Sequence, residues 1–156
     1  MGTIKINKIE DLNTLSKGDL VSKSEKNSLF TGPEVNNTPQ KGINWIGEYP
    51  KIDQIILTSK TDSGYHDRWM DKNETLYLYY LMINHRNTHK ASIEDQRKEN
   101  LILIEHSKNK APILLFINEG KSSKMLEVGG WFEVLKLEHD NKIHHSFVDS
   151  VILREL

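Results

Sequence analysis

Cysteine is absent from the chain, which excludes thiol catalysis, disulfide frameworks and cysteine-based zinc sites, and fits a reducing compartment. Proline is scarce, at four residues, and aromatic side chains make up only 8% of the sequence. No stretch approaches the roughly 18 consecutive apolar residues of a membrane span. The opening "MGTIKINKIEDL" has no apolar segment of signal-peptide length, so a cytoplasmic location is expected. Met1-Gly2 resembles the start of a myristoylation signal, but no Ser or Thr follows at the sixth position, and a cloning scar is the simpler explanation. Charge of one sign is also missing: 21 basic and 22 acidic residues leave a net charge of -1, so global electrostatics favour no partner.

The chain has 156 residues, enough for one domain that buries a core without metal or disulfide support. Residues 1–156 are read as a single unit, since no repeat, linker or low-complexity block interrupts them. "INKIEDLNTLSKGD" places Ile6, Ile9, Leu12 and Leu15 at three-residue steps before Gly18, which predicts a short amphipathic helix. "DLVS" follows as a short strand, and residues 23–40, rich in Ser, Asn, Thr, Pro and Gly, read as a long surface loop. "GINWIG", "QIILTS" and "TLYLYYLMI" are β-rich runs. "IEDQRKENLILIEHSKN", opened by Ser92 and Asp95, predicts a helix with Ile93, Leu101 and Ile104 inward. "APILLFI", then "KMLEVGGWFEVLKLEHD" with a bend or bulge at Gly129-Gly130, then "HSFVDSVILREL", complete the strands. Six or seven strands and two helices without βαβ alternation predict an α+β fold, a curled, mostly antiparallel sheet or barrel with helices packed outside.

No complete active site emerges. The seven histidines include His85 and His89 at helical i, i+4 spacing, but Arg86 stands where a zincin needs glutamate. His144 and His145 would point to opposite faces of a strand. A G-x-S-x-G elbow, a phosphate loop and a nuclease-type acidic core are all missing. The expectation is a noncatalytic protein without metal or cofactor.

What the chain does have is clustering of rings. Seven of its twelve aromatics, Trp45, Tyr49, Tyr65, Trp69, Tyr77, Tyr79 and Tyr80, fall between positions 45 and 80 and include every tyrosine. Strand alternation puts Tyr77 and Tyr79 on one side of "TLYLYYL" and Leu76, Leu78 and Tyr80 on the other. Such a wall either covers a half-exposed sheet face or, with Tyr65, brackets a flat ligand. Asp67 either caps a turn in "TDSGYHD" or accepts hydrogen bonds from an exocyclic amine of a base, with His66 and Arg68 in reach of phosphates. "NHRNTHKASIEDQRK" is a local basic patch, either solvated surface or the sequence-blind part of a nucleic-acid footprint.

The run from Tyr65 to Asp71, "YHDRWMD", followed by "LYLYYL" and "RKENLILIEHSKNKAPILLF", resembles the SRA-type domain of the wider PUA-like group. "KGINWIG" and "WFEVLKLEHD" with "FVDSVILREL" resemble the versions attached to modification-dependent restriction endonucleases, and the likeness spans about residues 40–156. It implies a reader of double-stranded modified DNA that flips a cytosine derivative into an aromatic pocket, partnered by a nuclease domain or subunit. Tyr65 and Tyr79 then resemble the two stacking rings and Asp67 the base-edge acceptor, with Trp69 and Trp45 as further pocket walls. Lys41, Asn44, Tyr49, His66, Arg68, His85, Arg86 and Lys90 are the implied DNA-backbone contacts. The chain departs from the family at "LMINHRNTHKAS", where a glycine-rich segment is usual. Two other readings stay open: a phosphorothioate-DNA binder, for which Tyr49-Pro50 would supply a sulfur cup, and a PUA-like or ASCH-like RNA-binding module or small enzyme.

Overall fold

A computed structural model describes residues 3–29, 43–48, 51–60, 67–80, 102–103, 105, 110–118, 124–138 and 150–156. The strands are β1 (Thr3–Ile4), β2 (Leu20–Ser22), β3 (Ile43–Glu48), β4 (Lys51–Lys60), β5 (Arg68–Trp69), β6 (Leu76–Tyr80), β7 (Ile113–Asn118), β8 (Met125–Glu138) and β9 (Ser150–Glu155). They form one sheet in the order β3-β4-β7-β8-β9-β6-β5, with β2 on the N-terminal part of β8 and β1 beside β2. Most ladders are antiparallel, as expected, but the short β1 pairs with β2 in parallel, and the central β4 and β7 also pair in parallel from Ile55↔Ile113 to Lys60↔Asn118. The reason is burial on both sides. Ile55 and Leu57 join Ile113, Leu115 and Ile117 on one face, whereas Ile56 joins Leu114 and Phe116 on the other. Continuous apolar runs of this kind suit a strand covered on two faces, where parallel pairing is at home.

The larger core lies on the concave face. It brings Trp45 from β3 together with Tyr77 and Tyr79 from β6, although these strands stand near opposite ends of the strand order. The sheet therefore curls until its ends face each other, yet the described ladders do not close it into a barrel. The second core packs Ile6, Leu12 and Leu15 of the N-terminal segment against Val21, Phe116, Leu126 and Val128. The Trp131 indole Nε1 ties this segment down by donating to the Leu15 carbonyl at 2.8 Å.

Local structure departs from expectation in two places. The predicted N-terminal helix is a 3-10 helix, Ile9–Thr14, whose three-residue hydrophobic step matches the tighter winding. The first part of the expected 23–40 loop is a helix, α1 (Lys23–Ser28), with the Ser22 hydroxyl accepting from the Glu25 amide. No apolar period betrays α1, because what it buries is Lys26. Within the helix expected over "IEDQRKENLILIEHSKN", Ile102 and Leu103 are helical, as predicted, and fully buried in the larger core. Ile93, Leu101 and Ile104, expected inward, lie outside the described residues, as do all seven histidines. No helix among the described residues is long and apolar enough to cross a membrane.

The bulge expected at Gly129-Gly130 is present. Leu115 pairs with Gly130 and Phe116 with Val128, so Gly129 is the extra residue on β8. A second irregularity sits in the β3–β4 ladder, where Ile46 pairs with Gln54 and Gly47 with Ile52. Gly47 takes φ +109°, and a Cβ there would stand 2.6 Å from the Lys51 carbonyl oxygen. Gly47→Ala is expected to lower the unfolding free energy by about 1–3 kcal/mol, read from urea denaturation, through backbone strain at this position.

Candidate nucleic-acid interface

The β5–β6 hairpin positions the central residues. Asp71 closes its turn: the carboxylate accepts from the Thr75 amide at 2.9 Å, the Leu76 amide at 3.0 Å and the Thr75 hydroxyl. These donors hold the Asp71 carboxyl below the usual carboxylate range, the Thr75 hydroxyl most strongly. Arg68 pairs with Leu78 and Trp69 with Tyr77, which puts Asp67 one step past the ladder, level with Tyr79.

Asp67 is a clamped carboxylate. Its Oδ1 accepts from the Tyr80 amide at 2.8 Å and its Oδ2 from the Ser59 hydroxyl at 2.8 Å. The Ser59 oxygen in turn lies 2.5 Å from the Tyr77 phenol oxygen. Ser59 and Tyr77 are buried, whereas Asp67 is half-buried. Burial pushes the Asp67 carboxyl up to about 6, against the Tyr80 amide, the Ser59 hydroxyl and the charge of Arg68. Burial also raises the Tyr77 phenol, opposed by its hydrogen bond to Ser59 and reinforced by the negative charge of Asp67. An ionised carboxylate offers about four lone-pair directions. Two are taken here, so Asp67 retains acceptor capacity for an incoming donor.

The remaining rings are engaged by the protein itself. Trp69 stacks edge-on against Tyr77, with centroids 4.9 Å apart and planes at 81°, and tilts against Phe132 at 5.9 Å. The Lys17 ammonium sits 5.2 Å from the Trp69 ring centroid, a cation–π contact, while also meeting Glu74 at 3.3 Å and Glu155 at 3.9 Å. Trp45 and Tyr79 are 5% and 4% exposed and belong to the larger core. A flat guest reaches either ring only by entering that core. Asn44 is fully buried, with the Lys26 Nζ donating to its Oδ1 at 3.1 Å, so its side chain faces inward rather than toward a DNA backbone. Arg68 is exposed beside Asp67.

Tyr65, Lys41, Tyr49, His66, His85, Arg86 and Lys90 lie outside the described residues. Of the expected constellation, the structure thus brings Asp67 and Tyr79 to one end of β6. It adds two groups that sequence reasoning missed, Ser59 and the Tyr77 hydroxyl. The signal for Ser59 was a buried-strand position taken by a hydroxyl residue where the apolar run "QIILTS" turns polar at Thr58 and Ser59. A separate cleft of about 380 Å³ is lined by Lys110, Ala111, Pro112, Phe132, Glu133, Val134 and Leu156, away from Asp67. Among the described residues no group of His, Asp or Glu is arranged to hold a metal ion.

No family model and no curated protein matches the chain. Solved structures do. The DNA recognition domain of the cytosine modification-dependent restriction endonuclease LpnPI aligns with a TM-score of 0.63 at 15% identity, covering 100% of this chain and 81% of that one. The SUVH5 SRA domain, solved with hemi-methylated CG DNA, gives 0.62 at 19% identity over 92% of this chain and 89% of that one. MspJI restriction endonuclease in complex with a 27-mer oligonucleotide gives 0.60 at 16% identity, over 91% of this chain but 42% of that one. The curled sheet therefore has the SRA-like fold of these neighbours, which are SRA domains and DNA recognition domains of modification-dependent restriction endonucleases.

Proposed function

We propose that residues 1–156 form one noncatalytic domain that recognises modified DNA, taking a flipped modified cytosine beside Asp67. The observation that carries this reading is the Asp67 carboxylate: desolvated, fixed by donors from two strands, and still able to accept. A rigid acceptor of that kind suits the exocyclic amine on a base's Watson–Crick edge. Support comes from neighbours with the same fold, one solved with hemi-methylated CG DNA and another described as a DNA recognition domain. Tyr65 supplies a stacking ring from the segment before Asp67, and Tyr79 forms the inner wall. Arg68, with the basic residues Lys41, His66, His85, Arg86 and Lys90, supplies the salt-dependent hold on phosphates. In the cell the domain serves a modification-dependent restriction system, with the nuclease on another segment or chain; the shared fold accounts for 42% of MspJI.

Flipping costs a few kcal/mol, which stacking and the Asp67 hydrogen bond must offset. Tyrosine and tryptophan fluorescence titrations with duplexes carrying methylcytosine, hydroxymethylcytosine, phosphorothioate or no modification test the reading directly. Tighter binding to a cytosine-modified duplex is expected; equal response to all four would end the proposal, and preference for the phosphorothioate duplex would replace it with backbone-sulfur recognition. Tyr65→Ala is expected to lower affinity for the modified duplex by roughly 5- to 100-fold, the loss of one base–ring stack, while unfolding remains cooperative.

The reading also fixes a pH dependence. Folded Asp67 holds its proton more tightly than the unfolded chain does. Its contribution to stability is therefore fully present below 3.8 and is lost as pH rises through about 6. Binding runs the other way, because only the ionised form is a pure acceptor. The ratio of modified to unmodified affinity is expected to rise between pH 5 and pH 7 and to become flat in Asp67→Asn, with about a 10-fold loss of discrimination at pH 7. Taking the ratio cancels the histidine and phosphate contributions common to both duplexes.

A further inference from the structure

We propose that Ser59 and Tyr77 are positioning residues for modified-base recognition, a buried hydroxyl chain that fixes the Asp67 carboxylate in the orientation that accepts an exocyclic amine. This rests on the reading of Asp67 given above and adds two residues, on strands remote in the sheet order, that act through it.

The geometry leaves little freedom. Ser59 lies on β4 and Tyr77 on β6, with β7, β8 and β9 between them in the strand order. The curl of the sheet brings Ser59 Oγ to 2.8 Å from Asp67 Oδ2 and 2.5 Å from the Tyr77 hydroxyl. An ionised carboxylate can only accept, so the single Ser59 proton must point to Asp67. The Ser59 oxygen is then left as an acceptor, and the Tyr77 hydroxyl must donate to it. One charge thus sets the direction of the whole chain, Tyr77 to Ser59 to Asp67, and each bond polarises the next. The Tyr80 amide holds the other carboxylate oxygen from the flanking strand. Both oxygens are pinned, which holds the carboxylate against rotation and leaves lone pairs that neither donor uses. Of these three groups, Ser59 and Tyr77 are buried while Asp67 is half-buried, the arrangement expected of a support behind a contact residue.

Arg68 is the charged side chain beside Asp67, and Ser59, Tyr77 and the Tyr80 amide are the polar groups facing it among the described residues. Removing the Ser59 hydroxyl deletes a donor to the ionised form and leaves the charge of Arg68 in place. Two measurements test the inference. The first is a carbon-13 NMR titration of the Asp67 carboxyl in the free protein. Ser59→Ala is expected to move its midpoint upward, Tyr77→Phe to move it upward by less, and Ser59→Thr to leave it near the wild-type value. The second is the affinity ratio for cytosine-modified over unmodified duplex at pH 7. Ser59→Ala is expected to reduce that ratio about 5- to 10-fold, Ser59→Thr to restore it, and Ser59→Ala to cause no further loss when added to Asp67→Asn.

An unmoved midpoint in Ser59→Ala would overturn the inference, as would a loss of discrimination that persists in the Asp67→Asn background or resists rescue by threonine. A purely structural role predicts a lower melting temperature with midpoint and ratio unchanged, and that result also overturns it. If the wild-type protein fails to distinguish modified from unmodified DNA, the recognition reading falls and takes the functional role of Ser59 with it. The NMR titration then still reports separately whether Ser59 fixes Asp67.

Discussion

The arrangement of this molecule depends on a seam. A sheet of these strands, curled so that β3 and β4 face β6 across one core, must join its two ends without a backbone ladder among the described residues. Side chains make the join: the Ser59 hydroxyl on β4 meets the Tyr77 phenol on β6 and the carboxylate just ahead of β5. Apolar packing of Trp45, Tyr79, Ile102 and Leu103 supplies the bulk of the cohesion beneath it. The polar contacts set where the ends meet. Buried polar groups of this kind are costly unless satisfied, so the seam tolerates little displacement.

That constraint links the fold to the proposed recognition site. The Asp71 turn aims the β5–β6 hairpin, the hairpin delivers Asp67, and the seam clamps it. Trp69 is held in place by Tyr77, Phe132 and the Lys17 ammonium, so the wall beside the aspartate is braced from three directions. In the role proposed for it, an aspartate supported in this way would lose little conformational freedom on binding, which favours affinity and selectivity together.

Much of the strand framework was legible in the sequence, because alternation and β-branched runs report burial directly. "GINWIG", "QIILTS", "TLYLYYLMI" and "APILLFI" each overlap a strand, and the glycine pair in β8 marks a bulge. Long-range pairing was not legible: nothing local in "QIILTS" or "APILLFI" says that β4 and β7 run parallel, since that choice depends on what covers their outer faces. Helix α1 escaped because its inward residue, Lys26, is charged and finds its partner, Asn44, 18 residues away. The same holds at the site. Tyr77 and Tyr79 were correctly placed on a shared face, but the Ser59 link exists only after the sheet has curled, and Asn44, read as a surface contact, is inside.

On the proposed function, the clamped carboxylate is a point where folding and recognition pull in opposite directions. In its ionised form at neutral pH, Asp67 is worse off in the folded chain than in water, so a search for stability alone would trade it for a neutral side chain. A molecule that brings an N–H to this oxygen relieves part of that discomfort, and its arrival should tighten the join between the two halves of the sheet. Occupancy of the site and cohesion of the fold are then thermodynamically linked, and the protein is expected to be at its most rigid when loaded.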